Sequence, residues 1–139
     1  MKIAKYVLLF LLLVNISLTA QKKVYLAQID REIDLGLAPY ISRVISEAEK
    51  NNADAIIFKI NTFGGRVDAA TQIKDAILNS KVLTIAFINN RAISAGALIA
   101  LSCNKIVMVP GSSMGAATVV DETGGKVGEK YQSYMRSEM

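Results

Sequence analysis

Ser94 is the residue in this 139-residue chain best placed to act as a nucleophile. It opens the run Ser94-Ala95-Gly96-Ala97-Leu98-Ile99-Ala100-Leu101-Ser102-Cys103, whose side chains are small or apolar on every side. A helix apolar all round is normally buried. A serine at the start of such a helix faces unpaired backbone N–H groups and the positive end of the dipole, which favour developing negative charge. The plainer role is a helix cap, for which serine is among the preferred residues. The chain contains no histidine, which excludes a Ser-His-Asp triad and any His-based metal site. Its single cysteine, Cys103, excludes Cys-rich zinc sites and an intrachain disulfide, and reads as a small buried residue. A nucleophilic serine here must therefore take its base from a lysine or a carboxylate.

One further feature, the glycine corner, carries chemistry by itself. Gly64-Gly65 follows an apolar run and precedes a helical pattern, a corner that can leave backbone N–H groups free for an anion. Its spacing matches neither a dinucleotide fingerprint nor a phosphate loop, and a strand–helix turn needing positive φ is the simpler account. Lys130 lies in the final helical stretch beside Tyr131, Tyr134 and Met135, and nothing in its own spacing marks it out. A free lysine titrates near about 10.4, so a lysine acting as a base near neutral pH must be desolvated. Taken alone, Lys130 is an exposed surface lysine, and Lys126 in the adjacent glycine loop is its rival.

These residues need a frame, and the chain supplies an alternation of strands and helices. Strand-like runs occur at Val24–Ile29, Ala55–Asn61, Val82–Ile88 and Lys105–Val109. Leu37, Tyr40, Ile41, Val44, Ile45 and Ala48 fall at steps of three and four, predicting an amphipathic helix begun near Asp34 and closed by Asn51-Asn52. Val67, Ala70, Ile73, Ala76 and Ile77 predict a second, with Lys74 and Asp75 facing out. Ile56-Ile57-Phe58 suits a strand buried on both faces. Pro110–Gly115, with Ser112 and Ser113, reads as a turn, and Ala116–Val120 as a short extended run. Repeated strand–helix units give an α/β domain with a largely parallel sheet.

The first residues read differently. A basic lead with Lys2 and Lys5, an apolar centre, no charge from Tyr6 to Gln21 and a small residue at Ala20 describe a signal peptide over residues 1–20. An uncleaved membrane anchor is the competing reading, and both place residues 21–139 outside the cytoplasm or on the outer membrane face. The net charge of +4 falls to +2 without that segment, and no basic cluster is interleaved with aromatics, which argues against nucleic-acid binding.

Three motifs occur in order: Ile60-Asn61-Thr62-Phe63-Gly64-Gly65, Ile93-Ser94-Ala95-Gly96 and Val109-Pro110-Gly111-Ser112-Ser113-Met114-Gly115. With Glu129-Lys130-Tyr131-Gln132-Ser133-Tyr134, they resemble the ClpP-class serine proteases, most closely the membrane-associated NfeD-like branch related to signal peptide peptidase A. The resemblance implies a ClpP/crotonase-like fold of repeated β-β-α units with a parallel sheet. It implies Ser94 as nucleophile, Lys130 as general base, the Gly64 and Gly65 amides as oxyanion donors, and Phe63 and Ser113 beside the substrate. Phe63 stands where the family often has proline, which places a bulky ring beside the site.

The resemblance also implies a Ser-Lys endopeptidase without metal or cofactor, acting on apolar stretches of membrane-associated or exported proteins. Stomatin-like partners and a homo-oligomer belong to the same expectation. The alternatives are a crotonase-like acyl-transfer enzyme and a non-catalytic scaffold for a membrane partner. The last helix lacks a stop signal before Met139, from which a chain truncated at its C-terminus is expected.

Overall fold

The computed structural model describes residues 21–121 and 123–139. The signal-peptide or anchor reading of residues 1–20 therefore lies outside the described residues. Among the described residues nine elements follow one another: β1 (Val24–Ile29), α1 (Leu37–Lys50), β2 (Ala55–Thr62), α2 (Val67–Leu78), β3 (Leu83–Ile93), α3 (Ala95–Leu101), β4 (Lys105–Met108), β5 (Ser113–Gly115) and α4 (Glu129–Glu138). Every strand pairing is parallel, in the order β1-β2-β3-β4, with β5 pairing the far end of β3.

One face of the sheet makes the core. Ala27 and Ile29 of β1, Ile56, Phe58 and Ile60 of β2, and Ala86 and Ile88 of β3 are fully buried. They pack with Ile41 and Ile45 of α1, Ala69, Ala70 and Ile73 of α2, and Leu98 and Ile99 of α3. The opposite face is open. Val24, Leu26 and Leu83 are exposed there, and Ile57 is half-buried. This corrects the expectation that β2 is buried on both faces. Its period-two burial means that Ile57 alternates out of the core although its neighbours are equally apolar.

Local chemistry explains the element ends. Asp34 Oδ1 accepts from the N–H groups of Gly36 and Leu37, both at 2.9 Å, and so satisfies donors that α1 leaves unpaired. Pro39 falls within its first turn, where a missing N–H costs little. The α3 helix is buried from Ala95 to Ala100, as its composition predicts. Gly96 permits that burial, because a Cβ there would stand 2.5 Å from Thr62 Cγ2.

Two parts differ from the sequence expectation. β3 runs five residues past Ile88, because Ala92 pairs with Thr62 and Arg91–Ile93 pair with Ser113–Gly115. Those partners are remote in sequence, so no local pattern announces them. Lys74 does not simply face out. Its ammonium bonds Asp75 at 3.0 Å and Glu138 of α4 at 2.9 Å, and α4 covers it.

Candidate active site

Ser94 joins β3 to α3 at the carboxyl end of the sheet, where open parallel sheets generally hold ligands. Its backbone is unusual, with φ 54° and ψ −120°, a left-handed conformation uncommon for a residue with a side chain. Its side chain makes no cap hydrogen bond to α3. The cap reading therefore gives way to a serine on a sharp strand-to-helix turn with its side chain uncommitted. The Ser94 N–H donates to Gly115 O at 2.8 Å, and its carbonyl accepts from Ala97 at 2.9 Å, so the backbone is fixed on both sides.

The glycine corner packs directly on this turn. A Cβ on Gly64 would lie 2.8 Å from Ser94 Cβ and 3.0 Å from Ile93 O, and its φ is +112°. Gly65, at φ +152°, presses on the backbone of Ile33, where an added Cβ would lie 2.6 Å from the Ile33 nitrogen. Ile33 N–H donates to Gly64 O at 2.9 Å and Arg66 N–H to Ile33 O at 2.8 Å, locking the corner to the segment after β1.

The two glycine amides are not equivalent. The Gly64 N–H donates to Thr62 Oγ1 at 3.0 Å, while Thr62 donates to Arg31 O at 2.7 Å. The Gly65 N–H has no acceptor among the described residues. That difference was not legible in the Gly-Gly pair, because it depends on how the buried Thr62 hydroxyl turns.

Ser94 lines a cleft with Glu32, Phe63, Gly65, Arg66, Val67, Ala116, Thr118, Val120 and Asp121. Its charged groups are mostly engaged. Arg66 holds Asp68 through two bonds of 3.0 and 2.7 Å, which keep the Asp68 carboxyl below its usual range. The Thr123 hydroxyl and the Gly125 and Thr123 amides hold the Asp121 carboxyl low in the same way. Glu32, which makes no ion pair among the described residues, was not singled out by the sequence.

Lys130 lies elsewhere. It lines a mainly apolar cleft of about 470 Å³ with Val67, Asp68, Thr71, Val119, Tyr131 and Tyr134. This cleft shares Val67 with the Ser94 cleft, and Lys130 is exposed. Phe63, exposed beside the glycines, lines the Ser94 cleft. Ser113 is a β5 residue paired with Arg91, and the cleft wall on that side is made by Ala116 and Thr118. Among the described residues no group of His, Cys, Asp or Glu could hold a metal ion.

Residues 23–139 match the family described as NfeD1b, N-terminal domain. The chain belongs to that family. It is 42% identical over 133 residues to the membrane protein NfeD1b of Bacillus subtilis, covering 95% of this chain and 30% of that protein. It is 41% identical over 100 residues to the membrane-bound protease PH1510 of Pyrococcus horikoshii, covering 70% and 23%. The chain thus spans less than a third of the length of either relative.

Among solved structures it resembles the 1510-N membrane-bound stomatin-specific protease, studied as a serine-to-alanine mutant, with TM-score 0.79 and 34% identity. The match covers 86% of this chain and 61% of that one. The same protease as a lysine-to-alanine mutant in complex with a substrate peptide gives the same score over 58% of its length. ClpP1 from Listeria monocytogenes matches at TM-score 0.66 and 26% identity, over 80% of this chain and 65% of its own. The fold is thus ClpP-like, mixed α/β around a parallel sheet, as the sequence motifs predict.

Proposed function

We propose that this NfeD1b domain is a serine endopeptidase in which Ser94 is the nucleophile and Lys130 its general base. The observation that carries the proposal is the Ser94 turn, a side chain free of capping duty on a strained strand–helix junction packed against Gly64. The Lys130 amine takes the Ser94 hydroxyl proton as Oγ attacks the peptide carbonyl, then returns it to the leaving amine. Water hydrolyses the resulting ester by the same route. The Gly65 N–H, together with that of Ala95 following the nucleophile, receives the developing oxyanion. Gly64, whose amide is committed to Thr62, sets the position of Ser94.

The role of Lys130 requires α4 to carry its amine past Val67 into the Ser94 cleft, where contact with substrate would exclude water. The serine and lysine substituted in the related protease lie farther apart in sequence than Ser94 and Lys130 do here, so variants of both residues are needed to test the pair. The substrate class is a polypeptide with apolar stretches from a membrane-associated or exported protein, a stomatin-like one included. The protease named for a stomatin and its peptide complex support this reading, as does the apolar Val67–Tyr134 cleft.

The decisive experiment is hydrolysis of an apolar fluorogenic peptide library by the chain from Gln21, with Ser94→Ala and Lys130→Ala alongside. Loss of cleavage in both variants, with unchanged circular dichroism, is the expected result. Cleavage that survives Ser94→Ala overturns the nucleophile. Loss in Ser94→Ala alone moves the base to another residue. One observation favours a second reading, a binding-only scaffold: Lys130 and Ser94 occupy different clefts. A folded but inert wild type that still binds the peptides is its signature.

A further inference from the structure

We propose that Arg91, stacked on Phe63, is a carboxylate-binding subsite for the polypeptide that reaches Ser94. The inference rests on the peptidase reading for its substrate and deepens it by naming a chemical group that the substrate presents. The guanidinium carbon of Arg91 lies 4.2 Å from the centroid of the Phe63 ring. This cation–π contact packs the guanidinium against the ring, at a position just ahead of the nucleophile on β3. Among the described residues no carboxylate lies within ion-pair distance of Arg91, and its side chain donates no hydrogen bond.

A half-buried Arg91 packed on an aromatic ring, with no hydrogen bond from its side chain among the described residues, has its five N–H donors available to a ligand. The group that matches its fork in shape and charge is a carboxylate bound through two parallel hydrogen bonds.

The position suits a substrate. Arg91 lines a cleft of about 570 Å³ with Asn61, Thr62, Phe63, Gly64, Gly65 and Asn90. Phe63, Gly65 and Glu32 line both this cleft and that of Ser94. Phe63 is therefore the ridge between them, and a chain laid over Ser94 and Gly65 passes its ring to reach Arg91. The other charges facing the cleft are Asp30, Arg31 and Glu32. Asp30 and Arg31 lie 3.9 Å apart and largely offset each other. Glu32 repels an incoming carboxylate and so limits the affinity of the subsite.

The carboxylate comes from an acidic side chain near the scissile bond or from the substrate's own C-terminus. Binding of labelled peptides to the full chain carrying Ser94→Ala, read by fluorescence anisotropy, tests the assignment without needing turnover. Three peptides share one apolar sequence: amidated and neutral, amidated with one internal glutamate, and neutral with a free C-terminus. At least one carboxylate peptide should bind about tenfold more tightly than the neutral amide, and which one identifies the source.

Adding Arg91→Ala should erase that ratio, Arg91→Lys should restore only part of it, and Glu32→Gln should enlarge it. Equal binding of all three peptides, binding of none, or a ratio unchanged by Arg91→Ala overturns the subsite. A wild type that never cleaves while this discrimination persists overturns the peptidase reading instead.

Discussion

Gly64 and Gly65 look interchangeable in the sequence, yet their neighbours give substitutions at them different meanings. Alanine at Gly64 brings a methyl group against Ser94 Cβ, 2.8 Å away, in a backbone region costly for any side chain. The turn carrying Ser94 must shift, and a displacement of about 1 Å at a reacting group can cost about a hundredfold in rate. Gly64→Ala should therefore reduce peptide hydrolysis about a hundredfold while the chain still melts cooperatively, as rate and thermal melt measured together will show. Alanine at Gly65 instead meets the backbone of Ile33 and breaks the tie to the segment after β1, so its first effect is lost stability. Cys103 is a contrasting case. Burial pushes its thiol up to about 12 from 9.0, outweighing the opposing bond with Thr84. At pH 8 the folded chain should react with iodoacetamide on the order of a thousandfold more slowly than the urea-unfolded chain. Because the folded value is the higher one, the matching stability is fully present below about pH 9 and is lost as pH rises towards 12.

Helix α4 shows how an element far along the chain shapes the clefts. Gln132, buried in α4, donates to Val119 O at 2.6 Å and accepts from Val119 N–H at 3.1 Å, clamping the strand-like segment that walls both clefts. Removing it leaves the Val119 N–H unpaired in a partly buried place, a loss of about 1–3 kcal/mol, while Val119 O keeps the bond it accepts from Val127 N–H at 3.2 Å. Gln132→Ala should lower stability by that amount and speed hydrogen exchange at the Val119 amide ahead of the sheet. An unchanged Val119 exchange rate would count against the clamp. Elements with local patterns were legible in the sequence: α1 from its three-and-four spacing, and β1 to β3 from short apolar runs. The far end of β3 and all of β5 were not, because Arg91 finds Ser113 across more than twenty residues. The site was legible to the same extent. Ser94 at a strand–helix junction could be read from composition, whereas its positive φ and its close packing on a glycine thirty residues earlier could not.

At the scale of the whole molecule, the helices packed on the sheet cover one face and leave the other to solvent. On that second face Leu26, Ile57 and Ile85 align in one register row, with Val24 and Leu83 on one side and Phe87 and Val107 on the other. Val24, Leu26, Leu83 and Val107 are exposed, and Lys59 and Lys105 are the charges placed among them. Contiguous apolar patches of this kind on soluble domains generally mark an interaction surface. The homo-oligomer expected from the family resemblance would find its most apolar surface here. A stable interface hides roughly 1,200–2,000 Å² in total. The chain from Gln21 should therefore show concentration-dependent association in sedimentation velocity. Leu26→Lys with Val107→Glu should shift it to monomer, and the melting temperature should hold because both side chains already face solvent. Monomer at every concentration in the unsubstituted chain would remove the open face as a self-association surface. Association that persists in the double variant would move the contact to the edge strand β4, where Ile106 and Met108 are also exposed.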